Sequence, residues 1–526
     1  MHLPQPSPVG RFLQWLRDPS TATRMAPPIA ALTAGSRVSN IDAAIDDTRA
    51  KFEEACQGFD KAWNGLSQQK ATLAPDARKS VELQIKRMCR EPLLSELGMR
   101  SVLPSHGFPT GVMSFVTSCA ATRDRTRSDD PSETSRNRRY DFPSRPGPVA
   151  IREYAPGAEV VIDGLVWTSA GVTLNWQRPA HQEGVREIQS IRHAWSCREC
   201  GESDCGREDA EACRACGSDA LEHQRFLEPA GFRVDWLEKP HAETNVPVYI
   251  VPEPPQVSTR GARWEPLLDP SLGRGRSTGD GLVFHHSRGA ARSGYRICLD
   301  CGRAAEDGTT GLDDHDALMP TKGGAGHCSG NSKQYAITGA LALGHETLTD
   351  VAEIQPVALV DRRIALALGS ALREALSRAL GIETRELGVA VAERRNSLGA
   401  ATHSIFIFDQ SAGGAGYAPR LFDDLPSILK RAREQLTCPV NCSSACSACV
   451  LVADLYADTD KFDRIGALDL VVRMLAAVAA PEAIDILRAP LIFRWLRKYR
   501  RRLGARRVWP RTAPPAAAAG ARAWWG

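Results

Sequence analysis

SIFIFDQSAGGAGYAPRLFDDLPSILKRAREQLTCPVNCSSACSACV, residues 404–450, is the stretch that decides the fold of the C-terminal half. It opens on an apolar run of Ile and Phe ending at Asp409, which reads as a buried strand. A glycine turn at Gly413, Gly414 and Gly416 follows, and then helical spacing over about 419–436. Four cysteines close the stretch, as Cys438-x3-Cys442-x3-Cys446-x2-Cys449. Four thiolates so close in sequence suit tetrahedral zinc, and an iron–sulfur cluster is the alternative for this spacing. The glycine turn has two readings: a tight strand-to-helix connection, or an anion cradle of backbone N–H groups. No Lys-Ser or Lys-Thr follows it, so it is not a Walker A loop.

Upstream, strands expected near 355–360 and 403–409 flank a strong helical pattern, RRIALALGSALREALSRALGI (362–382). Downstream, residues 466–488 read as an amphipathic helix. The N-terminal part reads as two antiparallel helices, from about 41 and from about 76 to 97, separated at Pro75. LPSHGFPTGVMSF (103–115) leads into an apolar strand, and residues 121–147 read as a polar loop. AEVVIDGLVWTSAGVTLNW (158–176) alternates in the β manner, with Asp163-Gly164 as a hairpin turn.

Two more cysteine groups lie in a β-rich middle. Cys197-x2-Cys200-x12-Cys213-x2-Cys216 makes a complete four-thiolate set that leaves no open position for catalysis. Cys205 falls inside its loop and reads as an unligated spare. Cys298-x2-Cys301 is completed by Cys328 and a histidine. His315 is preferred to His327, because His327 adjoins Cys328 and neighbouring residues seldom both reach one small ion. Asp313, Asp314 and Asp316 around His315 read as a solvated turn. Eleven of the 15 cysteines are thus in metal-like groups, which in a reducing compartment argues against disulfides.

The chain has 526 residues, is 43% hydrophobic and 24% charged, and carries a formal charge of +4. That composition supports folded cores. No run is long and apolar enough for a membrane span and no secretory signal opens the sequence, so a cytoplasmic location is expected. Residues 491–526 hold nine Arg, one Lys and no acid, which leaves 56 basic against 62 acidic residues elsewhere. A mildly acidic body with one basic tail predicts local contact with DNA, through Arg494, Arg497, Arg500, Arg501 and Arg502 interleaved with Trp495 and Tyr499. No GxxxxGK[ST], DEAD or DEAH box, HExxH or GxSxG is present, and no catalytic or cofactor-binding residue is assigned.

GHETLTD (344–350), then the helix, then IFIFDQSAGGAGYAPRL and the last four cysteines together resemble the C-terminal domain of MrfA-like helicases. That domain is also found in the DrmB protein of DISARM and in Druantia-type helicase proteins. The family pattern runs Gly-x-x-x-x-Thr-Asp, a strand into D-x-x-x-GGAGY, then four zinc-binding cysteines, and it matches residues 340–455. LPSHGFPT, IREYAPGAEVVIDG and YRICLDCGRA are similar to the post-motor region of the long helicases, so the resemblance extends over about three quarters of the chain. Those helicases carry two RecA-like motor lobes, whose motifs this sequence lacks. The resemblance implies a zinc-binding accessory protein, or the C-terminal part, of a DNA helicase system in antiphage defence or DNA repair. Such a protein would lack ATPase activity of its own and would act with a separately encoded helicase subunit. The alternatives are a metal-dependent nuclease and a truncated helicase remnant with no independent activity.

The expected architecture is α+β and multidomain: an N-terminal helical hairpin, a β-rich zinc-ribbon middle and a C-terminal α/β domain with a four-cysteine zinc cluster. In residue terms it comprises a helical region at 1–110, a small β region at 111–180 and a β-rich region with two zinc ribbons at 181–335. The α/β domain at 336–470 follows, and then an amphipathic helix and basic low-complexity tail at 471–526.

Overall fold

The computed structural model describes residues 8–33, 41–72, 111–121, 142–174, 191–451 and 459–479. Short internal stretches at 207–208, 243–246, 252, 320–325, 334–335, 358, 360 and 397–398 are excepted, and single residues at 78, 82, 85 and 97 are added. Of the helix expected at 76–97, residues 78, 82, 85 and 97 are described, each helical, and the rest of it and the basic tail lie outside the described residues. Residues 1–471 form one compact unit. No described helix is long and apolar enough to cross a membrane.

Among the described residues three helices come first: α1 (Pro8–Arg17), α2 (Pro19–Thr33) and α3 (Ile41–Thr72). Phe12 of α1 meets Phe52 of α3 edge-on at 4.9 Å, and Arg17 pairs with Glu53 at 2.6 Å. A five-stranded sheet follows, built from β1 (Val112–Val116), β2 (Ser144–Pro146), β3 (Glu159–Ile162), β4 (Leu165–Thr173) and β8 (Gly231–Val234). Its strand order is β2-β1-β8-β4-β3, with β1 and β8 parallel. Helix α4 (Gly147–Glu153) lies between β2 and β3. The stretch expected to be loop up to 147 thus ends in a strand and a helix start. Asp163 and Gly164 both have positive φ, 52° and 74°, and make the tight hairpin turn between β3 and β4.

The larger sheet is organised by β14 (Ile337–Pro356), a 20-residue strand. Its N-terminal part pairs with β12 (Tyr295–Cys298), which carries β13 (Ala304–Glu306) on its other edge. Its middle runs parallel to β7 (Leu221–Leu227), which leads through β5 (Arg192–Cys197) to β6 (Ser203–Gly206). From Leu343 onward it pairs with β11 (Gly273–Ser287), flanked by β9 (Gln256–Ser258) and β10 (Glu265–Pro266). Its C-terminal part pairs with β16 (Ala401–Asp409), which carries β15 (Leu387–Arg395). The strand expected near 355–360 is this one, and it ends at Pro356. Proline supplies no N–H to continue a ladder, which accounts for the stop. Strand pairing therefore runs across both the 180/181 and the 335/336 divisions.

Helix α5 (Arg362–Leu380) packs on β15 and β16. Asp361 caps its first turn by accepting from the Arg363 N–H at 2.8 Å, and Gly381 ends it in the left-handed conformation at φ 70°. The second helix begins later than its sequence pattern suggests. A 3-10 turn at Ala418–Phe422 precedes α6 (Leu425–Leu436), which is capped by Asp424 accepting from the Ser427 N–H. The last described helix, α7, spans Arg464–Ala479.

Candidate metal centres

The first two cysteine groups are built from one repeated turn, Cys-x-x-Cys-Gly, at CRECG (197–201), CRACG (213–217) and CLDCG (298–302). In each, the glycine N–H donates back to the first cysteine's carbonyl at 2.8 Å. Each glycine has φ between 75° and 87°, a region costly for residues with a Cβ. The turn leaves both thiols of a knuckle on one side, free to converge with a second pair.

They do converge. Cys197, Cys200, Cys213 and Cys216 form one set; Cys298, Cys301, His315 and Cys328 a second; Cys438, Cys442, Cys446 and Cys449 a third. Within every set all ligand atoms lie within 4.8 Å of one another. A tetrahedral Zn–S shell with bonds of about 2.3 Å requires S···S edges of about 3.8 Å. The observed edges are 3.6 Å for Cys197···Cys216 and Cys200···Cys213, and 3.8 Å for Cys298···Cys328. They are 3.6 Å for Cys438···Cys446, Cys442···Cys449 and Cys446···Cys449. The donor chemistry and the spacing both suit about three zinc ions per chain.

In the second set His315 is buried, and its Nε2 lies 3.4 Å from the Cys301 sulfur. Its Nδ1 lies 3.2 Å from the Leu312 carbonyl, which orients the ring as a ligand histidine needs. His327 points elsewhere: its Nε2 is 2.7 Å from Asp314, in exposed surroundings. Asp313 pairs with Arg296 at 2.8 Å, so the acidic run is a rim of surface pairs. Cys205 sits in β6 opposite Ala194, outside the first set, and burial pushes its thiol well above the usual range.

Electrostatics inside the sets favour a cation. Hydrogen bonds from the Cys298 and Cys328 thiols hold Cys301 down to about 3, and the Cys442 N–H holds Cys438 down to about 6. Burial pushes Cys449 up to about 12 and Cys200 higher still. Thiols raised by burial give up their protons to a bound metal, the coupling expected of a thiolate site.

Each centre ties distant segments together. A Cβ on Gly302 would meet the Val172 carbonyl oxygen at 2.1 Å, and the Gly302 carbonyl accepts from the Val172 N–H at 2.8 Å, so the second centre docks on β4. We expect Gly302→Ala to lower the thermal midpoint by several degrees, because the methyl has a rigid backbone in its way as well as an unfavourable φ. Differential scanning calorimetry checks this, and a wild-type midpoint would show that the knuckle shifts without cost. The third centre follows directly on α6. Arg464 donates to the Leu436 carbonyl at 2.7 Å, and the Ser370 hydroxyl of α5 to the Val450 carbonyl at 2.8 Å.

The glycine turn at 413–416 holds an anion of the protein's own. The Asp409 carboxylate accepts from the N–H groups of Ala415, Tyr417 and Ala418 at 2.6, 3.1 and 2.8 Å. Asp350 accepts from the Gly416 N–H at 2.8 Å, and a Cβ on Gly414 would lie 1.8 Å from its Oδ2. These amides are thus spoken for, and the tight-turn reading is the one that fits. Threonine and aspartate of GHETLTD serve the same turn: the Thr349 hydroxyl donates to the Asp409 and Ser411 carbonyls. Burial pushes the Asp350 carboxyl up to about 6, opposed by its Gly416 bond and aided by Asp409. A raised acid pKa makes the native state hold its proton longer than the unfolded chain, so Asp350 lowers stability as pH rises from about 4 to about 6. Asp350→Asn is expected to be more stable than wild type at pH 7.5 and indistinguishable near pH 4, as read by thermal unfolding at both values. A deficit at pH 7.5 would mean that the ionised carboxylate is needed.

Comparisons with known proteins agree with this picture. Residues 368–450, ending one residue past Cys449, match the model of MZB, the MrfA Zn-binding domain. The chain is 24% identical over 417 residues to the Druantia protein DruE of Escherichia coli (strain UMEA 4076-1). That alignment covers 69% of this chain and 21% of DruE, so the chain spans about a fifth of this relative's length. Among solved structures, the crystal structure of the DUF1998 helicase MrfA bound to DNA is similar over 63% of this chain and 32% of that one. The identity there is 12% and the TM-score 0.29. The chain is thus similar to the Druantia protein DruE, with an MrfA Zn-binding domain match at residues 368–450.

Proposed function

We propose that this chain is a zinc-stapled accessory component of a DNA helicase system, serving antiphage defence or DNA repair, with its motor on another polypeptide. The observation that carries the reading is the third cysteine set, four converging thiols inside the segment that matches the MrfA Zn-binding domain. Cys197, Cys200, Cys213 and Cys216 would hold the first ion. Cys298, Cys301, His315 and Cys328 would hold the second, and Cys438, Cys442, Cys446 and Cys449 the third. All three are structural, since four protein ligands leave no position for a reacting group. The absence of P-loop and DEAD or DEAH sequences from the 526 residues supports a non-enzymatic role. The likeness to DruE supports the defence setting.

The tail arginines Arg494, Arg497, Arg500, Arg501 and Arg502 are proposed to supply the phosphate contacts. Each contact steepens the log–log dependence of affinity on salt by roughly 0.7 on single strands and 0.9 on duplex. Engagement of four or five should weaken single-strand binding by about three orders of magnitude for a tenfold rise in salt. Fluorescence-anisotropy titrations of the purified chain over a salt series test the reading, alongside ATP turnover with and without DNA. The expected result is DNA binding with that slope and no turnover. Deletion of residues 491–526 should flatten the slope and leave the zinc content unchanged. DNA-stimulated ATP turnover by the chain alone, or no DNA binding at any salt, would overturn it.

A further inference from the structure

The sheet through β9, β11, β14, β16 and β15 curls until its two end strands approach each other. Val257, Val283, Val351, Ala390, Phe406 and Phe408 pack together in its interior. Strand β9 has a ladder only to β11 and β15 only to β16; among the described residues no backbone ladder joins β9 to β15. The seam between them is bridged by side chains instead. Arg394 of β15 donates through Nη2 to the Val257 carbonyl at 2.9 Å. The remaining bridge comes from the first cysteine set. Glu202, two residues past Cys200, accepts from the Ser258 hydroxyl at 2.7 Å and from Arg276 at 3.2 Å. Arg276 in turn reaches Glu353 at 2.6 Å, and Arg394 lies 3.8 Å from the same carboxylate.

All four charged side chains are buried, so Arg276 depends on both carboxylates and Arg394 on Glu353. The knuckle carrying Glu202 also abuts β15. A Cβ on Gly201 would meet the Glu393 carbonyl oxygen at 2.2 Å, and Arg395 donates to the Glu199 carbonyl. A cavity of about 930 Å³ opens along this seam, lined by Gln256, Val257, Arg394, Arg395 and the knuckle itself. The first set is the one of the three that has an exposed ligand, Cys216.

We propose that the first metal centre is a clasp on this seam: while metal closes the Cys197–Cys200 turn, the knuckle holds β9 through Glu202 and β15 through Glu199 and Gly201, and metal loss opens the seam. The inference rests on the reading of the first set as a zinc site. Glu202 owes its position to the knuckle fold, in which its carbonyl accepts from the Cys197 N–H at 2.8 Å. Four thiolates on one ion hold that fold closed. Without the ion the knuckle is two short turns, and Glu202 withdraws from Arg276 and Ser258. Two buried guanidinium groups then share Glu353 alone, and the three-residue strand β9 keeps its β11 ladder and the single Arg394 bond to Val257. The centre most exposed to chelators and oxidants is thereby the one wired to the seam.

Hydrogen exchange on the full chain, with zinc counted by elemental analysis, tests this with Cys216→Ser and Glu202→Gln. Cys216→Ser should lose one zinc and raise exchange in segment 255–260 at least about tenfold, while α5 amides at 365–377 keep wild-type rates. Glu202→Gln should raise exchange in the same segment and keep the full zinc count. The double variant should add little to either single, as expected of two residues acting through one contact. Glu202→Gln with full zinc and wild-type exchange at 255–260 would overturn the clasp, and so would one lost zinc with no change there. Cys216→Ser retaining the wild-type zinc count would instead overturn the metal reading beneath it, and the clasp with it.

Discussion

Exhaustive chelation is expected to remove about three zinc ions per chain and to unfold it, the largest effect anticipated for any single treatment. Structural zinc binds with about 10–16 kcal/mol in small domains, whereas a folded domain is stable by only about 5–15 kcal/mol. In this chain the sulfur sites stand in for continuous hydrophobic core at three junctions. The second set packs with Leu312 and Ala317 as a small cluster of its own, and the first with Trp195 and Leu221. Neither cluster has the apolar mass to hold its loops once the ion that joins its ligands is gone. Loss of the third site should release the segment between α6 and α7, because Arg464 ties the end of α6 at the Leu436 carbonyl to that segment at the Cys442 carbonyl. Elemental analysis with circular dichroism before and after chelation checks the account. One zinc or none, or abundant iron with visible absorption, would remove it. Retention of the full far-ultraviolet spectrum in a metal-free sample would show that the sites are decoration.

What was legible in the sequence, and what was not, follows from range of interaction. Cys-x-x-Cys-Gly turns are local: spacing alone fixes where the thiols point, and the sets converge as the spacing suggests. Asp163-Gly164 and the 362–380 helix are equally local, decided by turn chemistry and by apolar periodicity. Strand β14 was not legible, because its length is set by partners. Gly344, His345, Glu346, Thr347 and Thr349 interrupt the apolar alternation, and they are accommodated by β11 and β7 and by the 409–416 turn. Likewise β11 begins GRGRSTGDG, with glycine and arginine where a strand signal calls for β-branched residues. Its arginines are in the strand for long-range reasons: Arg276 for Glu353 and Glu202, and Arg274 for Gln355 at 2.6 Å. The role of Asp409 was half legible. The glycine turn signalled backbone N–H groups awaiting an anion, and the carboxylate that ends the preceding strand proved to be that anion.

Glu353→Leu is expected to cost about 3–5 kcal/mol of stability, the largest loss foreseen for one substitution away from the metal ligands. Glu353 is fully buried in β14, with Arg276 directly opposite it in β11. Besides Arg276 at 2.6 Å it accepts from the Thr259 hydroxyl at 3.2 Å, and Arg394 lies beyond at 3.8 Å. Leucine fills much of the volume, so the loss is electrostatic rather than a cavity. Arg276 would remain in a low-dielectric interior with Glu202 as its one carboxylate, and Arg394 would lose the carboxylate beside it. The Arg276 guanidinium lies 4.2 Å from the Trp264 ring, which offsets part of the cost through the ring's negative face. If the penalty is that of orphaned charge, removing the charge should return stability. Arg394→Met in the Glu353→Leu background should therefore recover about 1–3 kcal/mol, whereas Arg394→Met alone should destabilise. Urea titrations of the four proteins of this cycle measure the coupling directly. A Glu353→Leu midpoint within about 1 kcal/mol of wild type, or strict additivity in the double variant, would mean that water or relaxation already compensates the guanidinium groups. Zinc content should be unchanged in all four proteins, which separates loss of this ion pair from loss of the nearby metal centre.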